Sequence, residues 1–549
     1  MKSGHFLCTA VAAFAIAGAG CSSVTGGATG TGGGPGTGGA PSEGGTMASG
    51  GAASSGGVTS SGGLPATGGA NGTGGVTSSG GPPATGGANG TGGVTSSGGL
   101  PATGGASGGR SGSGGSSATG GAAPSTGGVT GSGGSTVVFV GTKPVGTAPA
   151  GAITVDPTKT HQVVDGFGLA DVWQGSSSTA MQTALWDPVN GIGLNLLRIG
   201  IESVSGSSVL MGNAGTADGK ACVKFSGNDC KVWAAPWSPP ASMKNNGNVN
   251  GGASNDTLKT GSYDAWATLL AGFPAYYKQQ SGVDLFAVSA QNEPDWNATY
   301  EACIYDKTTM VNFINVLGPK LAALNPPVKV LAAEPDNWGN CWGGDSFGTA
   351  ILADATASSY VGIIATHDYG TTSAGTFARP APPANNTKHI WETECTPGDT
   401  GPITIATMVY AAFTTGGVNG WHYWWTQAFV PNASSPPAQY YALGNFSKYV
   451  RPGYYRVDVS GAPTPSSSKP LVVAFSNLSD GTVVIVVVNG GSAQSVSFFV
   501  AGTAWPASVT PYVTTSSSKL AAGTAISVTA GSFSASLDAQ SVTTFVGKP

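Results

Sequence analysis

From about residue 136 onward, short apolar runs alternate along the chain with longer stretches in which apolar residues recur at helical spacing, as over residues 263–280 and 308–324. This alternation is typical of parallel βαβ units, because a crossover between parallel strands needs a connection about as long as a helix. Eight strand-like runs are found, near residues 163–168, 194–200, 231–236, 285–291, 328–333, 361–367, 388–394 and 418–425. Eight such units predict an α/β fold, a (β/α)8 TIM barrel with its functional groups at the C-terminal ends of the strands.

After about residue 452 the pattern changes to alternating strands without helices between them. Such a pattern predicts a small antiparallel β-sandwich as a side domain. A strand-like run at 153–162 precedes the first barrel strand, and we expect it to pair with this sandwich. The predicted divisions of the folded region are the first strand or strands of the side domain at 136–162, the catalytic barrel at 163–451 and the β-sandwich at 452–549.

The segment from residue 22 to residue 135 is almost wholly Gly, Ser, Thr, Ala and Pro, and Glu43 and Arg110 are its only charged residues. This composition cannot bury enough apolar surface to offset chain entropy, so we expect a disordered linker. A short sequence repeat that begins at Val58 recurs at Val76, but it lacks the apolar positions on which solenoid repeats stack. A Gly-rich coil of about 110 residues spans roughly 55–60 Å, enough to hold a folded domain away from a surface.

The first residues have the pattern of an export signal, predicted over residues 1–21. Lys2 is followed by an apolar run from Phe6 to Ala19, which is too short to span a membrane. The run ends in GAGCSS, which resembles the lipobox of bacterial lipoproteins, where the cysteine becomes the lipidated first residue. Cys21 is therefore the predicted lipidation site, and a bacterial cell-surface lipoprotein is the expected form. Because Gly stands where that motif usually has Leu, simple secretion is the alternative.

The charge balance argues against nucleic acid as a partner, because the net charge is −4 and only 22 residues are Lys or Arg. The five histidines are scattered, and neither an H-E-x-x-H motif nor a Cys/His cluster occurs in the sequence. No metal site is therefore predicted. We expect the protein to be a monomer.

Export to an oxidising compartment makes disulfides plausible among the five cysteines that follow the linker. A bond between Cys222 and Cys230 would close a short loop. Cys303 and Cys341 form a second candidate pair, which would leave Cys395 free. The spacing alone does not choose among the pairings.

Two predicted strands on opposing parts of the ring end in glutamate. The fourth is followed by Asn292, Glu293 and Pro294, and the seventh ends in WETE, with Glu392 and Glu394. Because side chains alternate along a strand, we expect the last two glutamates on one side, with Glu394 nearer the barrel mouth. Hydrolysis of a glycoside needs two carboxyl groups across the scissile bond, one to protonate the leaving oxygen and one to attack or to activate water. Glu293 and Glu394 are the candidates.

Aromatic residues follow several other predicted strands. Trp237 follows the third strand, Tyr369 follows the sixth beside His367, and Trp424 and Trp425 end the eighth. Flat apolar rings are surfaces on which sugars stack, so aromatic residues at several strand ends favour a carbohydrate site. Taken singly, each tryptophan is as well explained by core packing, and each glutamate by an ordinary loop.

Several motifs occur together in a specific order. They are QVVDGFG (162–168), GLNLLR (193–198), APWSPPASMK (235–244), AVSAQNEPDW (287–296), WETE (391–394), GNFSKYVRPG (444–453) and QSVTTFV (540–546). On these motifs, residues 155–546 resemble glycoside hydrolase family 30, and within it the bacterial and fungal xylanases. The resemblance implies a (β/α)8 barrel, a β-sandwich built from both chain ends, and retaining hydrolysis by double displacement without a cofactor.

The resemblance also implies roles for individual residues. Glu293 would be the acid/base, and Glu394 the nucleophile that forms the glycosyl-enzyme intermediate. Asn292 would hold the sugar 2-hydroxyl, and Arg198 would orient the nucleophile and keep it ionised. The residues expected to line the sugar subsites are Trp237, Tyr300, His367, Tyr369 and Trp424. For His367, a buried structural role is the alternative.

The implied activity is that of an endo-β-1,4-xylanase acting on glucuronoxylan or arabinoxylan. Family members that require a glucuronic acid branch carry an Arg shortly after the Trp pair of strand eight, where it can bind the branch carboxylate. Here the pair is followed by TQAF (426–429), so we expect no strict need for that branch. The segment GLADVWQ also departs from the family pattern, and we expect Asp171 and Trp173 to shape a different subsite.

Two alternatives stay open at the level of sequence. The same mechanism could act on β-1,6-galactan, β-1,6-glucan or a glucosyl or xylosyl end group, because family membership fixes the reaction better than the substrate. A non-catalytic carbohydrate-binding adhesin on a long stalk is the alternative of another class. A binder, however, has no need for two opposed glutamates.

Overall fold

The computed structural model describes residues 141–174, 176–203, 209–210, 215–343, 346–369, 379–396 and 401–549. The predicted signal, Cys21 and the predicted linker lie outside the described residues. Within the described ranges, no helix is long and apolar enough to cross a membrane.

Strands and helices alternate through the first part of the chain. In chain order the strands are β1 (Ile153–Val163), β2 (Gly166–Asp171), β3 (Leu196–Ser203), β4 (Val209–Leu210), β5 (Lys231–Pro236), β6 (Ala287–Ser289), β7 (Lys329–Ala333), β8 (Val361–His367), β9 (His389–Glu394) and β10 (Gly420–Trp425). The helices are α1 (Thr179–Trp186), α2 (Gly215–Ser226), α3 (Tyr263–Ser281), α4 (Lys307–Ala322), α5 (Trp338–Trp342), α6 (Phe347–Ala353), α7 (Ala355–Tyr360), α8 (Pro402–Thr414), α9 (Thr426–Phe429) and α10 (Ala438–Ser447).

Parallel strands close into the predicted (β/α)8 barrel. They pair in the order β2, β3, β5, β6, β7, β8, β9 and β10, and the pairing of β10 with β2 completes the ring. Each strand overlaps one of the predicted runs. The first differs most, since it begins at Gly166. The reason is that Val163 still belongs to β1, where it pairs with Tyr455 of the side domain.

Local sequence signals set the ends of the main helices. The side chain of Asp306 caps α4 by accepting a hydrogen bond of 2.6 Å from the N–H of Thr309. Helix α3 is followed by Gly282 as its C-cap, and the φ of +73° at this residue is the left-handed conformation that glycine adopts without strain. Helix α8 begins at Pro402, a position where the missing N–H costs nothing.

The side domain contains the remaining strands. They are β11 (Tyr455–Ser460), β12 (Leu471–Ser476), β13 (Val483–Asn489), β14 (Gln494–Val500), β15 (Ser508–Thr514), β16 (Ala521–Ala522), β17 (Ile526–Ser527), β18 (Ser532–Leu537) and β19 (Ser541–Gly547). Strand β1 lies between β11, to which it is antiparallel, and β14, to which it is parallel. The β-sandwich is therefore built from both ends of the folded region.

The sandwich and the barrel share a hydrophobic core. Every residue of β12 and of β13 is buried, because one face of these strands packs inside the sandwich and the other packs on the barrel. Phe475 of β12 contacts Phe413 of α8, with ring centroids 5.6 Å apart. Burial on both faces explains why β13 reads as a continuous run of Val and Ile instead of an alternating pattern.

One of the two candidate disulfides is present. Cys222 and Cys230 are bonded, whereas Cys303, Cys341 and Cys395 are free and buried. The predicted Cys303–Cys341 pair is therefore wrong. Cys341 packs against β8, with its Sγ 4.0 Å from the carbonyl of Ala365, and Cys303 lies elsewhere, in the loop after β6.

Candidate active site

A cluster of charged and polar side chains lies where the C-terminal ends of the barrel strands meet. All of its members are at least nine-tenths buried. They are Arg198 of β3, Asn292 and Glu293 after β6, Glu334 after β7, His367 of β8 and Glu394 of β9. Five of these residues are predicted from the sequence, and Glu334 is not.

The structure brings Glu293 and Glu394 together as predicted. Three atoms all lie within 4.8 Å of one another: one carboxylate oxygen of Glu293, one of Glu394 and one ring nitrogen of His367. Carboxyl groups about 5–5.5 Å apart are characteristic of retaining glycoside hydrolysis, whereas inverting enzymes leave roughly 6.5–9.5 Å for a water. The two side chains are 7% and 5% exposed, so neither is sealed in the core. This arrangement can support double displacement.

Glu293 is held by its backbone conformation as well as by its side chain. Its φ is +42°, in the left-handed region that non-glycine residues rarely adopt. Its N–H donates to the carbonyl of Glu334 at 3.0 Å, and its Oε1 lies 3.1 Å from Nδ1 of His367. A disfavoured conformation that neighbouring strands enforce is typical of functional sites.

Glu394 receives hydrogen bonds on both carboxylate oxygens. Arg198 Nη1 donates to Oε2, and the hydroxyl of Tyr369 donates to Oε1 at 2.6 Å. Burial raises the pKa of the Glu394 carboxyl above its ordinary value, and the positive charges of His367 and Arg198 oppose that rise. The two cations thus favour the ionised form that a nucleophile needs.

The expectation that Glu392 and Glu394 share one side of the strand is wrong. Where β9 pairs with β8, Glu392 lies opposite Thr366 and Glu394 lies opposite His367. Thr393 is therefore an extra residue in β9. Such a β-bulge interrupts the alternation of side chains. Glu392 accordingly points out of the barrel, where its carboxyl oxygens accept hydrogen bonds from the indoles of Trp338 and Trp421, at 3.1 and 2.6 Å. The bulge directs Glu394 into the mouth.

Arg198 is completely buried at the centre of the cluster. Besides Glu394, its guanidinium donates to Oδ1 of Asn292 and, at 3.0 Å, to Oε1 of Glu334. It also lies over the ring of Trp237, with its Cζ 4.7 Å from the ring centroid. Because Asn292 uses its oxygen to bind Arg198, its NH2 group is the part of the side chain available to donate to a ligand.

Glu334 is the member of the cluster that the sequence analysis missed. Its side chain is fully buried and accepts hydrogen bonds from Arg198 and from the hydroxyl of Ser289. Although burial alone raises the pKa of this carboxyl, the charges of Arg198 and His367 lower it below the ordinary value. A signal was present in the sequence, since Glu334-Pro335-Asp336 repeats the Glu-Pro-Asp of the preceding strand end.

His367 lies between the carboxylates. Burial lowers the pKa of His367, but the charge of Glu394 and hydrogen bonds to Glu293 and Glu334 outweigh burial and raise this pKa to about 10. Both ring nitrogens therefore carry protons at neutral pH. Glu293, His367 and Glu394 are close enough to hold a metal ion, but Nδ1 of His367 already pairs with Oε1 of Glu293, and Oε2 of Glu394 already accepts from Arg198. Hydrogen bonding explains the cluster better than metal ligation does.

Aromatic rings surround the mouth, as predicted for Trp237, Tyr300 and Trp424. Trp173 joins them, with ring centroids 5.0 Å from Trp237 and 6.3 Å from each of the other two. Trp237 is buried at the base, whereas Trp173 and Tyr300 are 43% and 45% exposed at the rim. Asp171 does not reach the mouth, because its carboxyl is buried beside Asp218 of α2, so its predicted part in a subsite is wrong.

Comparison with known proteins identifies the fold and the site together. The profile of the glycosyl hydrolase family 30 TIM-barrel domain matches residues 219–398, and that of the family 30 beta sandwich domain matches residues 453–545. A glucuronoxylanase of Bacillus subtilis (strain 168), XynC, is 29% identical over 425 residues, which cover 74% of this chain and 94% of that protein.

Two solved structures extend this similarity. A family 30 subfamily 8 xylanase from Clostridium acetobutylicum is 30% identical, with a TM-score of 0.63, and the alignment covers 73% of this chain and 100% of that one. A family 30 endoxylanase from Clostridium papyrosolvens C71 is 32% identical, with a TM-score of 0.60 over 72% of this chain and 100% of that one. The two domain matches, the motifs and the opposed carboxylates agree, and the protein belongs to glycoside hydrolase family 30.

Proposed function

We propose that this protein is an endo-acting β-1,4-xylanase that hydrolyses xylan with retention of configuration. The observation that carries the proposal is the pair formed by Glu293 and Glu394, whose carboxylate oxygens approach within 4.8 Å across the mouth of the barrel. This separation suits attack by one carboxylate while the other transfers a proton. It leaves no room for the intervening water that an inverting enzyme uses.

The reaction has two displacements. In the first, Glu394 attacks the anomeric carbon while Glu293 protonates the departing glycosidic oxygen, which gives a glycosyl ester and a shortened chain. In the second, Glu293 takes a proton from water, and the water oxygen displaces Glu394 from the same carbon. The configuration is inverted twice and is therefore retained.

The surrounding residues position the sugar and the nucleophile. The free NH2 group of Asn292 would donate to the sugar 2-hydroxyl, whose hydrogen bonds strengthen in the transition state. Arg198 and Tyr369 fix one oxygen each of Glu394. Trp237, Trp424 and Tyr300, joined by Trp173, would supply the faces on which xylose rings stack.

Xylan as the substrate is supported by the relatives, which are described as a glucuronoxylanase and as xylanases.

Dependence on a glucuronic acid branch is a separate matter, because a branch carboxylate needs a cation. After β10 the chain continues with Thr426 and Gln427, and Gln427 is exposed and uncharged. Its N–H donates to Oε1 of Gln174 at 2.7 Å, which ties the loops after β10 and β2 together. We therefore propose cleavage of xylan without a strict need for acidic decoration.

The first test is product analysis on plain arabinoxylan, glucuronoxylan, β-1,6-glucan and β-1,6-galactan. We expect xylo-oligosaccharides of several lengths from both xylans, at rates within about tenfold of each other, because the missing cation removes a preference worth up to a few kcal/mol. Cleavage only beside glucuronic acid would refute the proposed tolerance. Cleavage only of the β-1,6-linked polymers would refute the proposed substrate.

The second test separates the two carboxylates. Glu394→Gln removes the nucleophile and should abolish turnover, whereas Glu293→Gln should still form a glycosyl-enzyme from a substrate whose leaving group needs no proton. Intact-mass spectrometry after mixing with an aryl xylobioside measures this difference. Sugar binding by both variants should persist. Undiminished product release from xylan by Glu293→Gln would show that the roles are wrongly assigned, and a wild-type protein that binds xylan without cleaving it would indicate an adhesin.

We also propose that the protein acts as a monomer, exported and anchored through a lipidated Cys21, with the linker holding the barrel off the membrane. The GAGCSS sequence and the Gly-rich composition of residues 22–135 support this. Cys21→Ala should release an active enzyme of unchanged specific activity from the membrane fraction into the medium. Recovery of the wild-type protein in the medium at the outset would favour simple secretion.

A further inference from the structure

The ends of β6 and β7 carry the same short sequence in the same backbone conformation. Glu293-Pro294-Asp295 follows the first strand and Glu334-Pro335-Asp336 follows the second. Both glutamates are in the left-handed region, with φ of +42° and +55°. The two turns are also joined, because the N–H of Asp336 donates to Oδ1 of Asp295 at 3.0 Å. The repeat places two carboxylates side by side, and only Glu293 is accessible to a substrate.

Glu293 and Glu334 lie at opposite edges of the imidazole ring of His367. Nδ1 of His367 lies 3.1 Å from Oε1 of Glu293, and Nε2 lies 3.5 Å from Oε1 of Glu334. Nε2 is also 3.8 Å from Oε2 of Glu394. To donate on both edges, the ring must carry two protons and a positive charge. A neutral ring could donate on one edge only, and its Nε2 would then accept from Nη2 of Arg198, 3.5 Å away, in place of donating to Glu334.

The charged and titratable groups that face His367 come from every neighbouring strand end. The acidic groups are Glu293, Glu334 and Glu394, and the next acidic group outward is Asp336. The positive neighbour is Arg198, whose Nη2 is 3.5 Å from Nε2. Tyr369 presents its ring edge-on, with centroids 6.0 Å apart. Two adjacent cations in a buried site need two negative charges at every stage of the reaction cycle.

The mechanism itself supplies only one such anion at a time. In the free enzyme Glu394 is charged and Glu293 carries the proton to be donated. In the glycosyl-enzyme Glu394 is an uncharged ester and Glu293 is the charged base. Glu334 takes no part in bond making, since it is fully buried and paired with Arg198 and Ser289. With Glu334 charged, the cluster is electrically neutral in both half-reactions.

We propose that Glu334 is a positioning residue of the reaction, whose fixed negative charge keeps His367 doubly protonated so that it holds Glu293 in place opposite Glu394. The inference rests on the proposed double displacement. It assigns the third carboxylate of the cluster a task in both steps, acting through His367 and not on the sugar.

The test is the pH dependence of kcat/KM for Glu334→Gln on xylo-oligosaccharides. Loss of one nearby negative charge should let His367 lose its proton on the order of 1–3 pH units earlier. Activity of the variant should therefore fall as pH rises through neutrality, where the wild type is unaffected by this histidine. We expect kcat to fall about tenfold or more at pH 7, with KM changed less than threefold.

Glu392→Gln is the matched control. Glu392 is also fully buried, but burial raises its pKa to about 8, so this carboxyl is mostly uncharged at pH 7 and below, and there the substitution removes little charge. The control should keep the wild-type pH profile between pH 5 and about pH 7. A second variant, Glu334→Asp, keeps the charge. Its kcat/KM should depend on pH as that of the wild type does, although the maximal value is lower. An unchanged profile in Glu334→Gln, or an equal shift in Glu392→Gln, would overturn the proposal.

A measurement on the wild-type protein covers the case in which Glu334→Gln fails to fold. Nitrogen-15 chemical shifts of the His367 ring distinguish the doubly protonated form from either neutral form. We expect the doubly protonated form up to at least pH 8. A neutral ring at pH 7 would disprove the inference. This readout needs no substrate, so a wrong assignment of xylan as the substrate would leave it intact and would be recognised separately.

Discussion

Arg198 satisfies conflicting demands at a single position. It is fully buried, which by itself disfavours its charge, yet its guanidinium meets Glu394, Asn292 and Glu334. A planar fork can serve these partners at once, whereas an ammonium acts as a single point charge. The identity of this residue as arginine therefore matters as much as its charge.

We predict that Arg198→Lys folds but loses activity. The ammonium cannot reach Glu394, Asn292 and Glu334 together, and each lost hydrogen bond to a charged group is worth about 1.5–3 kcal/mol. We expect kcat to fall on the order of 10- to 100-fold, with a small change in thermal stability. Steady-state kinetics and thermal unfolding check this. A variant with wild-type kcat would show that Arg198 only neutralises charge.

Asp171 and Asp218 form a buried pair away from the mouth. Burial and the charge of Asp218 raise the pKa of Asp171 to about 9. The folded protein thus keeps a proton that the unfolded chain releases above its ordinary acidic pKa. The stability that this carboxyl contributes is full at low pH and is lost as pH rises toward about 9.

Asp171→Asn should remove this penalty, because the amide stays neutral beside Asp218. We predict a higher unfolding temperature than wild type at pH 8 and a difference near zero at pH 4. Thermal unfolding followed by circular dichroism across this range is the measurement. The control is Asp284→Asn, at a half-exposed ion pair with Lys278, which should show no such trend. A benefit that is independent of pH would argue against a proton held in the pair.

At the level of the elements, two helical glycines differ in what surrounds them. A Cβ at Gly219 in α2 would lie 2.0 Å from the hydroxyl of the buried Tyr277, which donates to the carbonyl of Gly215. A Cβ at Gly272 in α3 would meet no atom within 4 Å. The first glycine is required by close packing, and the second only weakens its helix.

Alanine at the two sites should have opposite effects. Gly272→Ala should stabilise the protein by up to about 1 kcal/mol, because alanine is the better helix former. Gly219→Ala should destabilise it by roughly 1–3 kcal/mol through overpacking. Chemical denaturation of both variants tests the pair. Stabilisation by both would mean that Tyr277 moves aside without cost.

On the scale of the whole molecule, the side domain is joined to the barrel by more than its chain connections. The outward face of β12 packs on α8, and Asn445 of α10 donates to Thr544 of β19 at 2.9 Å. Residues of both regions fall within one compact unit. A core that crosses the boundary couples the unfolding of the two parts.

We therefore predict one calorimetric unfolding transition for barrel and sandwich. Phe475→Ala, which leaves a cavity against Phe413, should cost about 3–5 kcal/mol and lower that single transition as a whole. Differential scanning calorimetry is the check. Two resolved transitions, or a shift confined to one of them, would mean that the domains fold independently.

The sequence by itself determined the barrel, the strands and the two opposed glutamates. Each depends on a pattern within a short stretch of sequence, such as the apolar run that ends at Glu293, the helix cap at Asp306 or the change to strands after residue 452. These patterns are short-range, so the backbone positions of Glu293 and Glu394 at strand ends follow from them directly.

The tertiary structure alone decided which way side chains point and what charge they carry. The bulge at Thr393 arises from pairing with β8, and it separates Glu392 from Glu394. Glu334 is bound into the site by Arg198 and His367, from other strands. Register and burial depend on residues far apart in the chain, and a pKa depends on all the charges gathered in one place, which is why local patterns do not contain them.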